Sequence, residues 1–190
     1  MPAAGSPKPD TRLIVLDRDG VINRDSRDFV KTPDEWIPLP GSIEAIARLA
    51  RAGHTVAVAS NQSGLARGLL DRRALAAMHR KFRRMVARNG GSVDRIVVCP
   101  HGPEDGCNCR KPKPGLLIRL ARHYRTSLEN VPVVGDSLRD LQAAAAVGAR
   151  PMLVRTGNGR RTERELPPEL SGTEVFEDLA GVADLLIRMR

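Results

Sequence analysis

Short, densely apolar runs alternate along this chain with longer stretches in which apolar residues recur every three or four positions. The runs at 12–16, 55–59, 93–98, 131–134 and 151–154 read as strands, most without polar alternation, as expected of strands covered on both faces. The helical period appears at 42–52, ending at Gly53, and at 70–89, stopped by Gly90 and Gly91. It returns at 114–125, with Pro114 tolerated in the first turn, at 137–147, closed by Gly148, and at 179–189. Val175 and Phe176 suggest a short edge strand, and 157–172 reads as a basic, Pro-containing loop. Strands alternating with helices of this length predict right-handed βαβ units. The expected fold is α/β, a mainly parallel sheet with helices on both faces.

At 190 residues the chain suits one domain, expected over 11–190 behind a disordered tail at 1–10 rich in Pro, Gly, Ala and Lys. Aromatic residues make up only 3%, so Leu, Val, Ile and Ala must build the core. No apolar stretch approaches the roughly 20 residues needed to span a bilayer, and the first ten residues hold no apolar signal region. The expectation is a cytoplasmic protein with no membrane partner.

The net charge of +9 raises the question of nucleic acid. The densest arginines, Arg73, Arg80, Arg84 and Arg88, fall near one face of the second helix, with Leu75, Met78, Phe82 and Met85 on another. No aromatic or glycine-rich nucleic-acid motif accompanies them, so a solvated outer face is the better reading and no nucleic-acid partner is expected. A basic surface would also attract a doubly phosphorylated small molecule.

The candidate chemistry lies at the strand ends. Leu16-Asp17-Arg18-Asp19-Gly20-Val21 closes the first strand with two carboxylates at i, i+2, which can converge as the chain turns. Like charges this close repel unless a cation or shared proton relieves them. A calcium loop starting at Asp17 would need Gly and Glu where the chain has Ile22 and Asp28, which leaves a plain Asp-Gly turn as the bland alternative. One carboxylate as nucleophile, one as acid and base, and Mg²⁺ between them would suit phosphoryl transfer. Ser60-Asn61-Gln62-Ser63-Gly64 follows the second strand. Cys99 and then Arg110-Lys111-Pro112 follow the third, and Gly135-Asp136-Ser137-Leu138-Arg139-Asp140 the fourth. Each alone could be a cap or a turn, but their shared placement at carboxyl strand ends matches where open α/β sheets bind ligands.

Three cysteines within eleven residues do not form a secreted disulfide framework. Cys99-Pro100-His101, five residues, then Cys107-Asn108-Cys109 make a Cys₃His set suited to a closed structural Zn²⁺ site, with unligated thiols as the bland alternative. Such a site would rigidify the loop ahead of Arg110 and Lys111. His54, His79 and His123 lack partners at ligand spacing and are read as structural, and Trp36 and Tyr124 as packing residues.

Together these motifs resemble the haloacid dehalogenase-like phosphatases. The resemblance implies a Rossmann-like fold in which Asp17 forms an aspartyl-phosphate, Asp19 is the acid and base, Ser60 hydrogen-bonds the phosphoryl group and Lys111 neutralises it. Asp17, Asp136 and the Asp19 backbone carbonyl would hold Mg²⁺, and Asp140 would orient Lys111 or a metal-bound water. Asp17-Arg18-Asp19-Gly20 with Asn23, the run from Ser60 to Gly68, the Cys/His loop with Cys109-Arg110-Lys111-Pro112, and Gly135-Asp136-Ser137 are similar to one family in particular. It is the D-glycero-D-manno-heptose 1,7-bisphosphate 7-phosphatases, over about residues 13–157. That resemblance implies a capless monomer acting on a small sugar bisphosphate on the route to ADP-heptose and the lipopolysaccharide core. It maps substrate contacts onto Asp25, Ser26, Arg27 and Asp28, onto Ser60, Asn61, Gln62 and Ser63, and onto Arg110 and Lys111. The alternatives are a histidinol-phosphate phosphatase with the same carboxylates and, in another class, a zinc-stabilised nucleic-acid-binding module.

Overall fold

The structure is a computed structural model that describes residues 12–26 and 29–189. The expected tail at 1–10, and the expected substrate residues Arg27 and Asp28, lie outside the described residues. Six parallel strands form one sheet: β1 (Leu13–Leu16), β2 (Thr55–Asn61), β3 (Arg95–Cys99), β4 (Pro132–Gly135), β5 (Arg150–Val154) and β6 (Glu174–Phe176), in the order β3-β2-β1-β4-β5-β6. Helices α1 (Ser42–Arg51), α2 (Arg72–Arg88), α3 (Gly115–Tyr124), α4 (Leu138–Ala145), α5 (Gly159–Arg164) and α6 (Leu179–Arg188) connect or follow them.

The period-two rule divides the core. On β1, Ile14 and Leu16 face a cluster with Ile46 and Leu49 of α1, Met78 and Phe82 of α2, and Val182 and Leu186 of α6. Leu13 and Val15 face the opposite cluster, with Leu116 and Leu120 of α3 and Ala143 and Ala144 of α4. All four β1 side chains are therefore buried, which explains the unbroken apolar run. Trp36 is fully buried with its ring 5.5 Å from that of Phe82, as a packing residue should be. On α2 the buried stripe is Leu75, Met78, Phe82 and Val86, with Met85 only partly buried, while Arg73, Arg80, Arg84 and Arg88 are exposed.

The expected boundaries shift at functional places. β2 runs on to Asn61, two residues beyond the apolar run, because Ser60 and Asn61 keep their register with Val98 and Cys99. β3 begins at Arg95, not 93, and reaches Cys99. The stretch 157–172 is not simply a loop, since it folds α5 and a 3-10 turn at Pro168–Leu170. Six residues without apolar periodicity give little signal. The helix is held instead by Arg155, whose guanidinium donates to both Glu163 oxygens at 2.7 and 2.5 Å, and by Thr162, which donates to the Asp136 carbonyl at 2.8 Å. Between β2 and β3 the chain folds α2 and its turns, with no separate cap among the described residues. No described helix is long and apolar enough to cross a membrane.

The strand order reverses between β1 and β4, its neighbour on the other side from β2. A crevice at that switch point, beyond the carboxyl ends of the strands, follows from the topology.

Candidate active site

Asp17 and Asp136 leave the ends of β1 and β4 at this switch point, and the Asp17 N–H donates to the Val134 carbonyl at 2.8 Å. They line a cleft of about 240 Å³ with Asp19, Asp25, Ser26, Ser60, Asn61, Gln62, Ser63, Arg110, Lys111 and Asp140. Each described residue expected at the reaction centre or the substrate therefore reaches one cavity.

Lys111 is 5% exposed and holds the carboxylates together. Its ammonium pairs with Asp17 at 2.8 Å and with Asp140, and donates to the Ala59 carbonyl at 2.8 Å. Burial alone would lower its pKa, but the charges of Asp140 and Asp17 overcome that and hold it above the ordinary value. Asp140 also accepts from the Ser137 N–H and Oγ as part of a capping box at the start of α4. Its two oxygens are thus committed to the lysine and the helix, and of the two tasks expected for it the geometry displays the first. Asn61 spends its side-chain amide on Lys111, giving to its carbonyl and accepting from its N–H, both at 3.1 Å.

Asp19 belongs to a separate network. It accepts from Arg18 Nε and Nη2 at 3.1 and 2.9 Å, from Asn23 at 2.8 Å and from Gln62 at 2.7 Å. Burial pushes its carboxyl up, but the Arg18 guanidinium and these hydrogen bonds hold it below the usual range. Gln62 also donates to Ser60 Oγ at 2.8 Å and accepts from Arg18 at 3.1 Å, so it links the hydroxyl to the carboxylate.

The donor set fits a divalent cation. Burial, then the charges of Asp140, Asp136 and Asp19, drive the Asp17 carboxyl up to about 8 against the opposing pull of Lys111. Asp136 is pushed to about 7 by burial and by Asp140, although Asn158 donates to it from its N–H and side chain at 2.8 and 3.1 Å. The Asp136 carboxylate occupies a notch made by glycines. A Cβ on Gly20 or Gly157, both with positive φ, would lie 2.1 or 2.2 Å from Asp136 Oδ2. Carboxylates this crowded and short of counter-charge are what a bound cation relieves. Asp17, Asp136 and Asp140 offer oxygens within 4.8 Å of one another, and since Asp140 is committed elsewhere, Asp17 and Asp136 are the available pair.

The Cys/His loop closes as its spacing suggests. Sulfur–sulfur distances among Cys99, Cys107 and Cys109 are 3.7, 3.3 and 3.6 Å, and His101 Nδ1 lies 3.6 and 3.2 Å from Cys99 and Cys109. A tetrahedron with Zn–S near 2.3 Å and Zn–N near 2.0 Å has edges of about 3.5–3.8 Å, so the set fits zinc. Burial raises the Cys107 thiol, but the N–H groups of Arg110 and Cys109 outweigh it and draw the thiol to about 7, toward the thiolate a metal needs. His54, His79 and His123 take no part in either candidate metal group.

Several residues of the cleft were not singled out from the sequence. Arg18, between two aspartates, is only 2% exposed. Asn158 follows the fifth strand, and the strand-end rule could have flagged it. Arg139, in the first turn of α4, and Phe29 also line the cavity.

A parallel sheet with its acidic residues at the switch point and a lysine between them defines a haloacid dehalogenase-like hydrolase, and the HAD-hydrolase-like family matches over residues 108–182. The D-glycero-beta-D-manno-heptose-1,7-bisphosphate 7-phosphatase of Pseudomonas aeruginosa is 58% identical over 93% of this chain and 98% of its own length. The crystal structure of D,D-heptose 1,7-bisphosphate phosphatase from Bordetella bronchiseptica, complexed with magnesium and phosphate, superposes with a TM-score of 0.90. It is 59% identical and covers 94% of this chain and 99% of that one. The D-glycero-alpha-D-manno-heptose-1,7-bisphosphate 7-phosphatase of Mycobacterium tuberculosis is 38% identical over 72% of this chain and 73% of its own. This chain belongs to the heptose 1,7-bisphosphate 7-phosphatase family of phosphoric monoester hydrolases.

Proposed function

We propose that this chain is a Mg²⁺-dependent phosphatase that removes the 7-phosphate of D-glycero-β-D-manno-heptose 1,7-bisphosphate by way of Asp17. The observation that carries the chemistry is the buried Asp17–Lys111–Asp140 network beside Asp136 in one cleft. The substrate and the β anomer are supported by the relatives named for them, which favour this reading over histidinol phosphate.

Asp17 and Asp136, with the Asp19 backbone carbonyl, would hold Mg²⁺. When bound, the cation supplies the charge that keeps Asp17 ionised and polarises the phosphoryl group. An Asp17 oxygen attacks phosphorus in line, and the bond from phosphorus to the C7 oxygen breaks. Lys111 and Ser60 balance the phosphoryl oxygens. Asp19 gives its proton to the leaving oxygen, then takes one from the water that attacks the aspartyl-phosphate, which frees phosphate and restores Asp17. In the free protein Arg18 favours the ionised Asp19, the form needed for the water step. An arriving phosphate dianion raises the carboxyl pKa and favours the protonated form needed first. Zinc held by Cys99, His101, Cys107 and Cys109 would be structural, fixing the loop that delivers Arg110 and Lys111. The heptose 1-phosphate left behind suits activation to ADP-heptose for lipopolysaccharide in the cytoplasm.

Asp17→Asn should abolish phosphate release from the bisphosphate while circular dichroism and thermal unfolding stay close to wild type. Near-normal turnover by this variant would overturn the mechanism. Faster wild-type hydrolysis of histidinol phosphate than of the heptose bisphosphate would overturn the substrate.

A further inference from the structure

The segment after β5 grips the turns beyond β1 and β4 at atoms that the proposed reaction does not use. Thr156 Oγ1 donates to the Gly20 carbonyl at 2.7 Å, and Thr162 Oγ1 donates to the Asp136 carbonyl at 2.8 Å. Between them Asn158 reaches the Asp136 carboxylate, with its N–H at 2.8 Å and its side-chain amide at 3.1 Å. Both donors meet the same oxygen, Oδ2, and among the described residues no side chain or N–H donates to Oδ1. The same amide reaches Asp25 Oδ2 at 3.3 Å, so it stands between two carboxylates. Gly157, with φ of 56°, permits this close approach, since a Cβ there would lie 2.2 Å from Asp136 Oδ2. Asn158 is itself exposed, so core packing does not account for the arrangement.

We infer that Asn158 is a positioning residue for the divalent cation, one that holds Asp136 by Oδ2 and leaves Oδ1 to the metal. This rests on the reading of Asp17 and Asp136 as Mg²⁺ ligands. Mg²⁺ demands near-octahedral geometry and is held through one or two carboxylates, so a carboxylate already turned to the right angle spares the ordering cost of binding. Donors on the outer oxygen of a ligating carboxylate fix its orientation in that way. The amide also separates Asp136 from Asp25, two anions that would otherwise face each other with no donor between them. Among the described residues Asn158 gives no hydrogen bond to Asp17, Asp19, Ser60 or Lys111. Its loss should therefore weaken the metal without slowing the loaded enzyme.

The test titrates Mn²⁺ into wild type, Asn158→Ala and Asn158→Gln, read by electron paramagnetic resonance, with Mg²⁺ as competitor. It also measures turnover of the heptose bisphosphate across a range of Mg²⁺ concentrations. In Asn158→Ala the dissociation constant of either cation should rise about tenfold, the low end for loss of a group that orients a metal ligand. The Mg²⁺ concentration for half-maximal turnover should rise by a similar factor. In the same variant kcat at saturating Mg²⁺, and thermal unfolding without added Mg²⁺, should stay close to wild type. Asn158→Gln keeps the amide one methylene further out and should recover part of the affinity. Wild-type cation affinity in Asn158→Ala, or a loss of kcat at saturating Mg²⁺ in place of a loss of affinity, overturns the role of Asn158. Wild-type protein that binds neither cation overturns the metal reading itself.

Discussion

Lys111 meets two carboxylates and a carbonyl in a space almost closed to water, and an ammonium there is stable only while both acids stay with it. Removing it strands Asp17 and Asp140 without counter-charge. Lys111→Met is therefore expected to abolish turnover and to lower unfolding free energy by about 3–5 kcal/mol. Adding Asp140→Asn should recover part of that stability and none of the activity, which urea denaturation of the three variants would measure. An unchanged midpoint in Lys111→Met would show that the network contributes nothing to folding. Lys111 stood out in Arg110-Lys111-Pro112, and Asp17, the proposed nucleophile, in Asp17-Arg18-Asp19-Gly20. Arg18 did not, because nothing local distinguishes an arginine that reaches solvent from one folded back onto its neighbour. Its burial depends on Gln62, 44 residues away in the chain.

The Cys/His loop joins β3 to the segment that carries Lys111, and both its ends are anchored, by Cys99 in the strand and by Asn61 against the Lys111 backbone. Elemental analysis should find about one zinc per chain. Cys107→Ser should lower stability by about 2 kcal/mol or more, a magnitude typical of a weakened metal site, with activity falling as the 110–111 segment loosens. Fully active, freshly purified protein without zinc would remove this role. The stretch 157–172 is the instructive opposite. Four candidate ligands announce themselves by type and spacing, whereas α5 is stabilised by Arg155–Glu163 and by Thr162 on the Asp136 carbonyl, pairings that only the folded chain brings together.

At the scale of the molecule the surplus of cations matters most for encounter. The net charge is +9, and the exposed arginines of α2 make no ion pairs among the described residues. A substrate with two phosphates should be drawn toward such a surface, and salt should screen that attraction. Raising KCl from 50 to 300 mM should reduce kcat/KM for the bisphosphate by about threefold, mainly through KM, and should affect a monophosphate less. A flat response on the bisphosphate would show that the surface charge plays no part in capture.

Periodicity, strand-end chemistry and cysteine spacing were enough to establish the α/β class and the order of elements, and to single out the carboxylates of the cleft and the Cys/His loop. These are properties of neighbours in the chain, where side-chain period and ligand type carry the information. Tertiary structure decided which of its two expected tasks Asp140 takes, holding Lys111, and it alone decided that Asn61 and Gln62 bind other side chains or backbone inside the site and that Asn158 and two glycines enclose Asp136. Each of those contacts joins residues from different strand ends. They meet because the parallel sheet sets strand ends distant in the chain side by side at one edge, and packing there decides which atoms come within hydrogen-bonding distance.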